Sequence, residues 1–427
     1  MILHMDLDTF FVSAHRTLDL SLLNKPVAVG GRSNLKIFEK EKVGIQLYNA
    51  NNGAFVNPVF FHPKTPGFKN FFVDHQPDGS EKVRGIIVTS SYEARAKGVK
   101  TGMPLAQALQ LCPDMEILVP NYLLYHELSF ALHHFLKQEI PKVEQFSIDE
   151  FFGDLDGWVQ DEEVFAYAQR LKRLIWEKFR LPISIGVSSS KWIAKLATKF
   201  AKPNGVYMVK QSEIPSFIEN LPIETFPGIG KGYRQRLQKH FITTLGEASR
   251  RKDLFYSWKK PGIQLYHRIV GDDGEGISPL REKKSVGISR TFDPICDKTE
   301  VLRRVMILAR HLSFLIFKEG QNPTSYYLSM KSDRGLRIKK RVTVDRLFSE
   351  RLCKETFQQM YYDALKDVDV GCIEKISMNL SNFSYQKRIP LSLLNIQEDQ
   401  TARQLSKALQ TLRQKYSLDI VKNGNEL

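Results

Sequence analysis

The sequence predicts a multidomain α+β chain. Three observations carry that reading. A length of 427 residues exceeds one ordinary core and implies two to four domains. Strand-like and helix-like segments alternate as far as residue 210, the pattern of an α/β or α+β region. Beyond it, 211–283 reads as all-helical with glycine punctuation, and 284–388 returns to strands.

In chain order, residues 1–8 read as a buried strand and 9–24 carry a helical apolar rhythm. Pro26–Gly31 reads as a short strand closed by glycines. Residues 32–84, rich in Asn, Gly, Phe, Lys and His, have little periodicity. Gly85–Thr89 is a strand, and Tyr92-Glu93-Ala94-Arg95 opens a loop or helix. Helices are expected at 104–112, 122–139, 161–179 and 190–200. One strand is expected from Val143 to Phe152 and another over Ile183–Val187. In the last third, strands are expected at Ser285–Thr291, Ser325–Lys331, Arg337–Val344 and Ile376–Ser381, with helices at 298–317 and 350–367. Residues 389–427, with a helix near 399–416, are set apart as a tail.

Hydrophobic residues make up 42% and charged residues 26%, as in soluble globular proteins. No run approaches about 18 uncharged apolar residues, so no membrane span is expected. The N-terminus has no secretory pattern. Cys112, Cys296, Cys353 and Cys372 are scattered, which argues against zinc or a disulfide framework and for a reducing cytoplasm. The net charge of +15 is uneven. Residues 211–283 carry 12 Lys/Arg against 9 Asp/Glu, and 284–388 carry 20 against 12, so these segments hold +11 of the +15. Such asymmetry is the footprint of a polyanion, or else a solvated basic face.

The chemistry concentrates in two acidic motifs. Met5-Asp6-Leu7-Asp8-Thr9-Phe10-Phe11 ends the first strand, and Ser147-Ile148-Asp149-Glu150 lies far along the chain. Asp6 and Asp8 share a face of a regular strand. Asp149 and Glu150 do so only if the chain bends there. Crowded carboxylates need positive charge between them. Hard divalent ions such as Mg²⁺ supply it through oxygen ligands, and two ions roughly 3.5–4 Å apart suit a phosphoryl or nucleotidyl displacement. The alternative is that Asp6 or Asp149 caps a helix. Tyr92 and Arg95, three apart, could present a hydroxyl and a guanidinium fork to phosphate, and Lys202 in Ala201-Lys202-Pro203-Asn204-Gly205 could reach the same group. Read without context, Phe11 is a core aromatic.

These motifs, with Pro26–Gly31, Ser91–Arg95, Gly98-Val99-Lys100-Thr101-Gly102-Met103-Pro104, Ser184-Ile185-Gly186-Val187 and Phe226-Pro227-Gly228-Ile229-Gly230, occur in family order. The chain resembles the Y-family (DinB/UmuC-like) translesion DNA polymerases over residues 1 to about 232, and more loosely from Ser285. The resemblance implies a right-hand polymerase: palm at 1–19 and 122–210, small fingers at 20–121, helical thumb at 211–283 and an α+β little finger at 284–388. It implies that Asp6, Asp149 and Glu150, with the Leu7 carbonyl, bind two Mg²⁺ ions, for which Mn²⁺ could substitute, and that Asp8 supports them. It implies that the amides of Thr9, Phe10 and Phe11, with Tyr92, Arg95 and Lys202, hold the dNTP, and that Phe11 is a steric gate against the ribose 2′-hydroxyl. The partners implied are primer-template DNA and dNTP, for a monomer acting at the nucleoid.

Phe226–Lys231 reads as a helix-hairpin-helix turn through which Gly228, Gly230 and Lys231 could approach a phosphate, with a plain interhelical turn as the competing reading. Arg337, Lys339 and Arg341 share a strand face and, with Arg290, could track a DNA backbone. A solvated protective edge is the competing reading. The chain departs from the family pattern in two places. The segment between Gly31 and Tyr92, an insertion at about 33–84, is longer by on the order of 45 residues, uncommon for a structureless loop. Its six phenylalanines from Phe55 to Phe72 suggest an ordered addition to the fingers. Near the C-terminus, Ile389-Pro390-Leu391-Ser392-Leu393-Leu394 resembles a degenerate sliding-clamp peptide, with Leu391, Leu393 and Leu394 as apolar anchors. Two other functions use part of the pattern. An idle DNA-binding scaffold has no need of the acids, and a metal nuclease has no need of Phe11 or the triphosphate groups.

Overall fold

The computed structural model describes residues 1–39, 46–48, 59–61, 67–75, 79–279, 283–366, 370–384 and 394–426. It contains two compact units. The first is built from Met1–Gly31 and Gly67–Arg281, the second from Arg32–Tyr48, Val59–Pro66 and Glu282–Leu427.

The first unit is organised by a five-stranded sheet in the order Val206–Val209, Ile183–Ser188, Ile2–Leu7, Glu150–Asp154, Lys142–Gln145. The strand Ile2–Leu7 lies at its centre, antiparallel to both neighbours. Its Leu3, Met5 and Leu7 enter the core beside helices Tyr122–Glu139 and Val164–Phe179. The expected single strand over 143–152 is a hairpin instead: Lys142–Gln145 pairs antiparallel with Glu150–Asp154. Apolar residues on both arms hide the turn from a periodicity reading. The chain reverses at Phe146–Asp149, where Phe146 and Ser147 N–H both donate to the Glu150 carbonyl. The other sheet face carries the helix Lys191–Ala201. A Cβ on Gly186 would meet the Ala194 carbonyl at 2.1 Å, so glycine there is what lets helix and strand touch.

A three-stranded sheet, Ile86–Ser90, Val27–Gly31, Glu116–Leu118, forms a smaller core. The helix Phe68–Phe72 contributes the fully buried Phe72, whose ring would lie only 2.5 Å from a Cβ placed on Gly30. Five helices between Ile214 and Val270 close a further core with Trp192, Ile193 and Leu196.

The second unit is an antiparallel sheet in the order Ser285–Ile295, Ile373–Phe383, Pro323–Ser332, Arg337–Thr343, with helices Lys298–Lys318 and Glu350–Leu365 packed on it. Three expectations are corrected here. First, the start of the insertion is not an addition to the fingers. Ile37 and Phe38 are buried in this unit. The Arg304 guanidinium lies 4.6 Å from both the Phe38 and Phe292 rings, and Arg303 donates to the Phe38 carbonyl at 2.7 Å. Second, 396–426 is no loose tail. The helix Ile396–Lys415 packs on Glu350–Leu365. Buried Glu426 takes Arg310 at 2.8 Å and Lys354 at 2.5 Å, while buried Glu350 takes Lys354 and Arg413. Third, Cys296 and Cys372 form a disulfide, with Cα atoms 4.1 Å apart. The register that places Ile295 opposite Ile373 brings together two cysteines that sequence spacing keeps apart.

Replacing Phe38 with Ala removes a buried ring from the second unit and costs about 3–4 kcal/mol. Urea titration followed by a probe in that unit checks it. Reduction of Cys296–Cys372, which joins residues 76 apart, lowers the same transition by up to about 4 kcal/mol on the chain-entropy relation. A Cys296→Ser/Cys372→Ser protein shows no response to reductant.

Candidate active site

Asp6 and Glu150 are direct partners in the antiparallel ladder. Opposed residues project from the same face with Cβ atoms about 4.5–5.5 Å apart, so these carboxylates lie side by side. The Leu7 N–H donates to the Asp149 carbonyl at 3.0 Å, which ties the hairpin turn to the end of the first strand. Asp149 sits in that turn, and its Oδ1 accepts from Ser147 Oγ at 2.5 Å. The bend that the two acidic motifs require is therefore present. Asp8 lies past the strand end and is 1% exposed. Tyr92 OH donates to its Oδ1 at 2.9 Å, and Ser184 Oγ and the Asn204 N–H donate to its Oδ2 at 2.8 and 2.7 Å. Its oxygens are engaged by the protein, as suits a supporting acid.

The facing helix Lys191–Ala201 and its C-cap supply the counter-charge. Lys202 Nζ donates to Asp6 Oδ1 at 2.7 Å. Lys195 donates to Glu150 Oε1, and one turn earlier Lys191 pairs with buried Glu144 at 2.5 Å. Lys195 also lies 3.4 Å from His4 Nε2. Thr198 Oγ donates to the Ala194 carbonyl at 3.0 Å and is 2.8 Å from His4 Nδ1. That chain puts the imidazole proton on Nδ1 and leaves Nε2 to accept from Lys195. Sequence reasoning missed His4, Lys195 and Thr198. The signals were His4 two residues before Asp6 on one strand face, and the four-three-four spacing of Lys191, Lys195, Thr198 and Lys202 along one helix stripe.

The electrostatics follow. Burial raises the Asp6 carboxyl to about 7. Lys202 opposes the shift, and Asp149 and Glu150 add to it. Burial also raises Asp149, opposed by the Ser147 hydrogen bond and assisted by Glu150. Burial would raise Glu150 too, but the Lys195 ammonium set on it holds it below the usual carboxylate range. Burial, with Lys195 and Lys202, holds His4 at about 4 and therefore neutral. Among the described residues, no three of His, Cys, Asp and Glu converge into a finished metal cage. The donor set is nonetheless that of a hard cation: carboxylates crowded until they raise one another's proton affinity, with ammonium groups set on two of them.

On the nucleotide side, Thr9 adopts φ 46° and is the N-cap of the helix Phe10–Leu18. Helical bonding begins with the Val12 and Ser13 N–H groups, both onto the Thr9 carbonyl, so the N–H groups of Phe10 and Phe11 occupy the open first turn. Phe11 stacks on Tyr125 at 4.0 Å and 7°. Tyr92 and Arg95 lie on one short helix, with the exposed Arg95 guanidinium 5.2 Å from the Tyr92 ring.

The duplex-binding candidates divide. Gly228 has φ +104° and Gly230 is the N-cap of Lys231–Gln238, so the hairpin turn is present and Lys231 is exposed beside it. Arg337, Lys339 and Arg341 are exposed on an edge strand opposite Lys331, Ser329 and Tyr327. Arg290 does not join them. It aligns with Ile376, a core residue, whereas Ser289 and Thr291 align with Ser377 and Lys375. A one-residue change of parity turns its side chain to the other face, where it donates to the Asn34 carbonyl at 3.2 Å. Leu391 and Leu393 fall outside the described residues, and Leu394 is 94% exposed.

The impB/mucB/samB family model matches residues 69–199. DNA polymerase IV of Shewanella loihica is 32% identical over 295 residues, covering 68% of each chain. That of Staphylococcus saprophyticus is 31% identical over 72% of this chain and 74% of its own. That of Bacillus anthracis is 26% identical over the whole of this chain and 93% of its own. Among solved structures, a Y-family polymerase chimera of Dbh and Dpo4 has TM-score 0.70 at 20% identity, over 90% of this chain and 98% of the other. DinB from Sulfolobus solfataricus has TM-score 0.52 at 20% identity over the same shares. With its carboxylates paired across the central strands and its sequence aligned with these relatives, the chain belongs to the impB/mucB/samB family, the DinB-like Y-family DNA polymerases.

Proposed function

We propose that this DNA-directed DNA polymerase extends primers across damaged templates by two-metal nucleotidyl transfer, at the site where Asp6 faces Glu150. The ladder pairing of these two acids, with Asp149 in the adjoining turn, is the observation that carries the reading. Bound Mg²⁺ or Mn²⁺ would lower the pKa of the primer 3′-hydroxyl and neutralise the departing pyrophosphate. Asp6, Asp149, Glu150 and the Leu7 carbonyl would hold the ions. Lys195, itself held by His4 Nε2, keeps Glu150 ionised and aimed. With a cation taking over the charge of Asp6, Lys202 would turn to the triphosphate, which the Thr9–Phe11 backbone and Arg95 bind from the other side. Tyr92, tethered to Asp8, supports Arg95. Phe11 is the sugar gate.

Residues 1–19 and 122–210 serve as palm, 20–31 and 67–121 as fingers, 211–283 as thumb, and 284–388 as little finger, completed by 32–39 and 394–426. Gly228, Gly230, Lys231, Arg337, Lys339 and Arg341 supply phosphate contacts that do not read sequence. The protein works as a cytoplasmic, nucleoid-associated monomer in the damage response, with Leu391, Leu393 and Leu394 as its sliding-clamp contact. No helix of the described residues is long and apolar enough to cross a membrane.

Primer extension in Mg²⁺ on undamaged and abasic templates tests the reaction. Asp149→Ala loses more than about 100-fold in rate, and template degradation in place of extension defeats the reading. Asp6→Asn also abolishes extension yet stabilises the metal-free protein. The folded Asp6 carboxyl binds its proton up to about pH 7, against about 3.8 when unfolded, so wild-type stability falls as pH rises through that window and stays low above it. Thermal melts in chelator show the Asn protein ahead at pH 8 and the gap closing toward pH 4. Phe11→Ala raises ribonucleotide incorporation by at least about 10-fold, measured as the dCTP/CTP ratio of kcat/KM.

A further inference from the structure

The rejection of ribose by a flat ring depends on how firmly that ring is held. A gate that yields by a few tenths of an ångström admits the extra hydroxyl, because the repulsion it imposes is steep. The helix Phe10–Leu18 presents Phe11 and His15, four residues apart, on one face. The helix Tyr122–Glu139 answers with Tyr122 and Tyr125, three apart. Tyr125 is fully buried and lies flat against the back of Phe11. Tyr122 meets the edges of both rings, at 6.1 Å and 89° to Phe11 and 5.8 Å and 82° to Tyr125. Phe10 closes a third side, 5.7 Å from Phe11 and 6.0 Å from Tyr125.

Ring packing alone leaves Tyr125 free to rock, since stacked aromatics slide at little cost. A directional contact removes that freedom. His15 Nε2 lies 2.8 Å from Tyr125 OH, and the His15 ring stands edge-on to Tyr125 at 5.7 Å and 73°. Burial lowers the His15 pKa and favours the neutral imidazole, and the tautomer protonated on Nδ1 lets Nε2 accept the phenol proton. The hydrogen bond thus pins the far end of the ring on which the gate rests.

We propose that His15 and Tyr125 are specificity-determining positioning residues: their hydrogen bond stiffens the aromatic wall behind Phe11 and thereby sets discrimination between deoxyribonucleotides and ribonucleotides. Neither residue touches the nucleotide in this role. The proposal rests on Phe11 being the sugar gate. It goes beyond that assignment by placing part of the selectivity in a residue whose own side chain has no contact with the sugar.

Single-nucleotide primer extension by the full-length protein tests it, with kcat/KM for dCTP and CTP measured for wild type, Phe11→Ala, Tyr125→Phe, His15→Leu, His15→Gln and the Tyr125→Phe/His15→Leu pair. Tyr125→Phe and His15→Leu each lower the dCTP/CTP ratio by about 3- to 10-fold, the effect of one hydrogen bond. The change falls mainly on CTP, and dCTP stays within about 2-fold of wild type. The double variant is no worse than either single, because one interaction has been removed. His15→Gln, which keeps an acceptor, restores most of the ratio. Tyr125→Phe keeps the ring and the packing, so it decides the matter if His15→Leu does not fold. An unchanged ratio in Tyr125→Phe and His15→Leu beside a collapsed ratio in Phe11→Ala overturns the proposal and leaves the gate standing. Equal losses with both nucleotides also overturn it, as the mark of a purely structural contact. An unchanged ratio in Phe11→Ala removes the gate assignment and this proposal with it.

Discussion

Carboxylates opposed across an antiparallel ladder cannot move apart without breaking the sheet. The register that sets Asp6 against Glu150 therefore imposes a standing electrostatic cost on the first unit. The rest of the site follows from how that cost is offset. A helix must cross close enough for lysines to reach the acids, and Gly186 removes the side chain that would hold it away. The stripe of Lys191, Lys195 and Lys202 then meets Glu144, Glu150 and Asp6 in turn. The innermost pair is shut from solvent, with both side chains 1% exposed, and works as structure. The outer two are partly open and leave Asp6 with a proton affinity far above that of an ordinary carboxylate. A site that is strained without a cation and relieved by one is already poised for metal-dependent chemistry.

The sugar side is coupled to the acid side by chain length alone. Phe11 follows Asp6 by five positions. Thr9, in the left-handed region, converts the strand end into a helix start with no intervening loop. The gate therefore cannot drift relative to the acids, and what remains adjustable is its tilt. Tyr125, Tyr122 and His15 act on that tilt, the two tyrosines from a second helix, Tyr122–Glu139, whose start is set by Asn121 accepting from the Leu124 N–H at 3.2 Å.

How much of this is legible in the sequence depends on the range of the signal. The helix Tyr122–Glu139 and the strand Ile2–Leu7 stand where the sequence places them, the strand as a short run buried on both faces. The hairpin at 142–154 reads as one strand because both arms are apolar and the turn, Phe146–Asp149, carries no glycine or proline. Asp6, Asp149 and Glu150 are legible as crowded carboxylates, and the register that opposes Asp6 to Glu150 decides against the helix cap that the sequence leaves open for Asp6. Lys195 and His4 are not legible, since a lysine on a helix is ordinarily solvated and its partner lies 45 residues away. Arg290 is misassigned by one step of parity, which a basic composition cannot reveal. Cys296–Cys372 is invisible because the strand pairing that joins the two cysteines is a tertiary fact.

The second unit shows the same limit on a larger scale. Its sheet and two long helices lie within 285–383, yet that stretch does not complete its own core. Arg303, on the helix Lys298–Lys318, donates to the Phe38 carbonyl at 2.7 Å and to the Glu426 carbonyl at 3.1 Å, bridging positions 265 residues before it and 123 after it. Phe38 covers the apolar side of that helix, and the Glu426 carboxylate neutralises Arg310 and Lys354, which would otherwise be buried cations. A fold whose closing pieces come from both ends of the chain has contacts of the longest sequence separation, and their loop-closure entropy must be met before they stabilise anything. The segment around Phe38 is synthesised early, and its partners Phe292, Arg303 and Arg304 emerge more than 250 residues later. Its apolar pair, Ile37 and Phe38, is thus open to wrong contacts during folding. The cations Arg303 and Arg304 that later clasp it supply directional contacts where apolar attraction alone would accept any surface.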